Sequence, residues 1–191
     1  MSSREKFPLV SGHVALDLIN TEVVKRGIRH DLLAGESDLA EWMDLMKESE
    51  DSFSAFSVKS IDLGSVLPAL KELRALLRTG FEAFAAGMQA EASWIHRIEE
   101  LNKRAPLSFQ LSGGSLVPVP IGASEDAILS LIAFDTLRLV ANGELQTLRR
   151  CANTDCVLLF IDTSGRRKWC SMNTCGNRSK VARHQSRQKE R

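Results

Sequence analysis

The four cysteines of this 191-residue chain, Cys151, Cys156, Cys170 and Cys175, all fall in its last 41 residues, and the 150 residues before them contain none. Their spacing is Cys-x4-Cys-x13-Cys-x4-Cys. Two pairs with the same internal gap, separated by a segment with strand and turn signals of its own, point to a single four-ligand site. Clustered cysteines in a reducing compartment serve metals more often than disulfides, and Zn²⁺ takes four thiolates in a closed tetrahedral site that leaves no position for a substrate. One structural Zn²⁺ on all four cysteines is therefore expected. Spacing alone leaves disulfides or redox thiols as the alternative, although no Cys-x-x-Cys redox motif is present.

The same segment marks a boundary in charge. Residues 149–191 carry 11 of the 25 Lys and Arg but only Asp155, Asp162 and Glu190 as acids, so a formal net charge of +1 conceals a tail of +8 on a body of −7. Four thiolates around one Zn²⁺ leave the tail at about +6, still an attractive field for phosphates. Such asymmetry points to nucleic acid or another anionic partner. The N-terminus has no signal-peptide h-region, and no apolar run approaches a membrane span, which makes a cytoplasmic chain the expectation, nucleoid-associated if it binds DNA.

The first 148 residues read as amphipathic helices. The patterning predicts helices over His13 to Arg26, from a cap at Ser37 through Met46, from near Ser65 to Gly87 with Pro68 in the first turn, over Ala90 to Arg104, and from Ser124 to Gly143. Leu107 to Ile121 reads as two strands about a Gly turn. A short helical stretch over Glu144 to Arg150 delivers the chain to Cys151. Between the cysteine pairs, residues 157–162 read as a strand, Thr163-Ser164-Gly165 as a turn and residues 166–169 as the return strand. A helix from about 176 to 188 follows. The fold class is mainly α, α+β overall. It comprises a helical domain with a small hairpin (1–148) and a treble-clef-like four-cysteine zinc finger (149–191), with the tail lying against the body.

Residues 167–178, Arg-Lys-Trp-Cys-Ser-Met-Asn-Thr-Cys-Gly-Asn-Arg, resemble the signature of the CGNR zinc finger, named for the four residues at 175 to 178. Cys151 to Cys156 and Leu159 to Asp162 are similar to the first half of that finger, and Leu16-Asp17-Leu18-Ile19-Asn20-Thr21 resembles the opening of the ABATE domain that precedes it in bacterial proteins. The likeness spans almost the whole chain. Lys168 stands where the family often has Arg, which keeps the charge but loses the planar fork. The resemblance implies a zinc-containing bacterial protein proposed to be a stress-responsive transcription regulator.

Candidate nucleic-acid contacts are Arg166, Arg167, Lys168, Arg178, Lys180, Arg183 and Arg187, the last three at helical spacings of three and four. The competing reading docks the basic tail on the acidic body or on a partner protein, which makes the finger a zinc-stabilised interaction module without direct DNA binding. Asp17, Asn20 and Thr21 are polar residues in an apolar helix. They line a pocket for a small-molecule effector or pair internally, and the body either senses that effector or forms a homodimer. No nucleophile elbow, phosphate loop or dinucleotide fingerprint is present, so an enzyme is not expected. His13, His30, His96 and His184 show no metal-ligand spacing, and Trp42 and Trp94 read as core.

Overall fold

The computed structural model describes residues 6–49, 51–53, 56, 61–122, 124–181 and 188. Its centre is α5, Ser124–Ala141, whose residues from Ala127 to Ala133 are all buried. A helix apolar on every side belongs inside a core rather than on a surface. Around α5 pack α1 (Val14–Ile19), α3 (Leu63–Ala85) and α4 (Ala92–Lys103), with α2 (Glu36–Ser49) against α3. Of the residues at helical spacing in α2 and α3, Leu39, Trp42, Met43, Met46, Val66, Leu70, Leu73, Leu77 and Phe81 are buried, whereas Leu67 and Phe84 are only partly buried against the core. Asp62 accepts from the Gly64 amide and starts α3 two residues before Ser65, so Pro68 falls in the second turn instead of the first. The start of α2 likewise precedes Ser37, with Asp38 reaching back to accept from the Gly35 amide.

The His13 to Arg26 helix is corrected by the structure. It stops at Ile19, and the chain turns into β1 (Glu22–Lys25) and β2 (Ile28–Asp31), an antiparallel hairpin. Arg26 and Gly27 both have positive φ, 54° and 77°, the conformation of the two-residue turn whose twist matches paired strands. Val23 and Val24 suit a strand better than a helix. The hairpin is locked to α3 by Asp31, whose carboxylate accepts from Arg74 Nη1 at 2.6 Å and Nη2 at 2.8 Å. Burial works against the Asp31 charge, but the hydrogen bonds from Arg74 and Lys71 outweigh it and hold the carboxyl at about 2.

β3 (Leu107–Ser112) and β4 (Ser115–Pro120) form the expected hairpin about Gly113 and Gly114. The stretch from Glu144 to Arg150 is a 3-10 turn (Glu144–Thr147) followed by β5 (Leu148–Arg150), not one helix. β5 pairs antiparallel with β6 (Leu159–Ile161), with Leu148 opposite Ile161 and Arg150 opposite Leu159. The strand between the cysteine pairs thus finds its partner before Cys151, and residues 166–169 are not a strand. Asp162 explains the difference. Its carboxylate accepts from the Ser164 amide and hydroxyl and from the Arg167 amide, folding 162–167 into a loop of side-chain-capped turns.

Gly80 sets the approach of α3 to α4. A Cβ there would lie 2.2 Å from Trp94 Cε2, a rigid ring atom whose indole N–H already donates to the Leu76 carbonyl at 2.7 Å. Gly80→Ala should therefore destabilise the chain by about 1–3 kcal/mol through overpacking, although alanine is the better helix former. Urea unfolding reads the change, and a stabilised variant would contradict this packing.

Candidate metal centre and nucleic-acid interface

Each cysteine is placed by a separate local device. Cys151 directly follows β5, and its amide donates to the Leu158 carbonyl across the hairpin. The Cys156 amide donates to the Asn153 carbonyl, while Asn153 Oδ1 accepts from the Asp155 amide, so an Asx turn folds the first ligand pair into a knuckle. Cys170 follows the Asp162 loop. Cys175 lies in a single π turn, Met172–Gly176, that leads into the helix of residues 177–181, and Ser171 caps that turn by accepting from the Asn173 amide.

The four Sγ atoms lie within 4.8 Å of one another, and all four cysteines are free of disulfides. Zn–S bonds of about 2.3 Å in a tetrahedron place neighbouring sulfurs about 3.8 Å apart. Cys156 Sγ and Cys170 Sγ stand 3.9 Å apart, far beyond disulfide length and suited to sharing one ion. Hydrogen-bond donors also converge on the sulfurs: Asn153 Nδ2 on Cys175 at 3.5 Å and the Cys170 amide on Cys151 at 3.4 Å. Such donors stabilise thiolate ligands. One structural zinc fits this donor set and would supply the cross-link that holds both ligand pairs together.

Without a cation the four sulfurs cannot all ionise. A hydrogen bond from Cys156 pulls the Cys170 thiol down to about 5, the same bond together with burial pushes Cys156 up, and burial pushes Cys151 up to about 11. One thiolate in the cluster suppresses the others, and a divalent ion removes that conflict.

The finger is stitched to the helical body. Leu148 and Leu159 are fully buried in the body's core. Asn20, also fully buried, donates from Nδ2 to the Leu159 carbonyl at 2.9 Å and accepts the Leu159 amide on Oδ1 at 3.0 Å, extending the strand with a side-chain amide. Arg78 of α3 donates to the Val157 carbonyl at 3.2 Å and to the Ile19 carbonyl. Asp17 accepts from Ser11 Oγ at 2.7 Å and the Val10 amide at 3.3 Å, and Thr21 donates to the Leu18 carbonyl and accepts from Arg74. All three polar residues of the 16–21 motif thus bond to the chain itself, and neither described cavity is lined by them.

These two regions coincide with two family models. A model for the ABATE family, described as "Putative stress-induced transcription regulator", matches residues 12–143. The chain belongs to the ABATE family. A CGNR zinc finger model matches residues 147–188. No curated protein matches the chain. In this ABATE protein Asn20 joins the body to its finger, while Asp17 holds the N-terminal segment and Thr21 bonds within the body. No helix among the described residues is long and apolar enough to cross a membrane.

The basic residues divide. Arg167 is engaged inside the molecule: its guanidinium stacks on the buried Phe160 ring, 4.2 Å from the centroid, and donates to the carbonyls of Trp169, Cys170 and Val10. Arg166, Lys168, Arg178 and Lys180 are exposed and make no ion pair among the described residues. Arg183 and Arg187 lie outside the described residues, as does His184. Sequence reasoning missed Asn153, Asp162 and Arg78. The first two stand in turn contexts, Asn-Thr-Asp and Asp-Thr-Ser-Gly, that could have signalled them. Arg78 pairs locally with Glu82, but nothing signalled its docking role, because the carbonyls it binds are 59 and 79 residues away. Gly176 of the CGNR signature is buried beneath Met172, whose Sδ would lie 2.8 Å from an added Cβ.

Two measurements check this site. Native mass spectrometry should find one zinc per chain with all four thiols slow to alkylate, and chelation should release the metal and expose them together; zinc-free protein with intact thiols would contradict the assignment. Burial raises the Asp17 carboxyl from 3.8 to about 6, so the folded chain holds a proton there that the unfolded chain releases. The stability tied to that proton is present below about pH 4 and lost as pH rises through about 6, on the order of 3 kcal/mol. Asp17→Asn should flatten this part of the stability profile in urea titrations at stepped pH, and an unchanged profile would refute the shift.

Proposed function

We propose that the chain is a DNA-binding transcription regulator in which the zinc finger contacts the duplex and the ABATE body holds the finger in place. The observation that supports this reading is the division of the finger's cations. The finger docks through buried leucines, paired backbone hydrogen bonds and Arg167, which leaves Arg166, Lys168, Arg178 and Lys180 exposed. Among the described residues Arg150 with Glu82 is the only ion pair between 149–191 and the body, and Arg166, Lys168, Arg178 and Lys180 form none with it. Arg183 and Arg187 belong to the same proposed interface, whereas Arg167 acts as a structural clamp. Stress-responsive control follows from the family's description. The reading assigns no catalytic residue and no effector to Asp17, Asn20 or Thr21.

About five phosphate contacts predict a slope of about −4.5 in log affinity against log salt, a loss of roughly 500-fold between about 50 and 200 mM. Arg178→Ala should weaken binding to all duplexes similarly and reduce the slope by about 0.9. The double reversal Arg166→Glu, Arg178→Glu should weaken it further with zinc content unchanged. Fluorescence anisotropy over a salt series measures both. Unchanged affinity in the double variant would reject the DNA reading in favour of a zinc-stabilised protein-interaction module.

A further inference from the structure

The exposed cations Arg166 and Lys168 stand beside a shallow depression rather than on a flat face. They line a groove of about 580 Å³ whose opposite wall is the N-terminal segment at Leu9 and Val10. Arg166, Arg167 and Lys168 supply its charge, with Arg167 turned inward onto Phe160, and Trp169 and the half-exposed Met172 supply apolar surface.

The wall is built rather than incidental. The Val10 carbonyl accepts from Arg167 Nη2 at 3.3 Å, tying it to the finger, and the Val10 amide donates to the buried Asp17, tying it to α1. Leu9 packs against the body's core. Both sides of the groove are therefore tied to the fold, with the exposed Arg166 and Lys168 along it.

A sugar-phosphate backbone matches this lining: phosphates take cations, and the deoxyribose between them presents apolar carbon to an apolar wall. Resting on the DNA-binding reading above, we propose that the backbone of duplex DNA occupies this groove, with phosphates on Arg166 and Lys168 and a sugar against Leu9 and Val10. The nucleic-acid interface is then shared between the N-terminal segment and the finger, and the finger on its own presents only half of it. Charge complementarity selects the occupant, because the segment carrying the groove's cations has a formal charge of +8.

The full zinc-loaded chain tests this in two ways. Trp42 is fully buried and Trp94 is 6% exposed, so acrylamide reaches mainly Trp169. Adding duplex DNA should shield Trp169 from quenching. Leu9→Glu and Leu9→Lys lose the same apolar contact but place opposite charges on the wall. At matched thermal midpoints the first should weaken duplex binding about fivefold and the second tighten it about fivefold, the effect of one charge roughly 4 Å from a phosphate in water. Salt-sensitive duplex binding with Trp169 unshielded and the two variants equal would overturn the groove while leaving the DNA reading intact. Absence of any duplex binding by the unaltered chain would overturn both.

Discussion

The pair of hydrogen bonds between the Asn20 amide and the Leu159 backbone fixes where everything else in the tail can be. A carboxamide offers one donor and one acceptor side by side, the same pattern as a peptide group, so a fully buried Asn20 acts as one further residue of sheet beside β6. Removing it would leave a strand N–H and C=O buried without partners, which costs more than the bonds contribute. The 16–21 motif and the finger are thereby one construction: α1 ends where it does because Asn20 and Thr21 are needed for docking and for Arg74, and the β1–β2 hairpin carries the chain away.

Metal and docking divide the work of ordering the tail. The β5–β6 hairpin is held from inside by Leu148 and Leu159 and needs no ion to find its place. The knuckle, the loop around Asp162 and the π turn enclose a small second cluster of Cys151, Leu158, Phe160, Cys170 and Cys175, too few side chains to form a core without a cross-link. Arg167 belongs to this second group. It roofs Phe160 and reaches Val10, so one of three consecutive cations has turned inward while its neighbours face solvent.

The sequence made some of this legible and hid the rest for identifiable reasons. Four-cysteine spacing survives any rearrangement of the chain around it, and the long helices α2 to α5 carry enough periodic residues to outvote local exceptions. The Gly113-Gly114 turn announced its hairpin. The β1–β2 hairpin was concealed because Val14, Leu18, Ile19 and Val23 happen to keep helical spacing, and its turn begins with an arginine at positive φ, which composition does not advertise. The partner of β6 was misplaced because local pattern cannot distinguish a strand before the knuckle from one after it. The inward turn of Arg167 and the wall at Leu9 and Val10 depend on contacts across more than 150 residues, beyond the reach of any local signal.

The finger's inner strand, β6, is part of the body's core through Leu159. Hydrogen exchange at the Leu159 amide measures it most directly, since that N–H donates to Asn20 and to nothing outside the molecule. This amide should exchange as slowly as those at the centre of α5 and keep that protection after zinc is chelated, while the amides around Cys170 and Cys175 lose theirs. Fast exchange at Leu159 with zinc bound, or its collapse together with the metal site, would contradict the account.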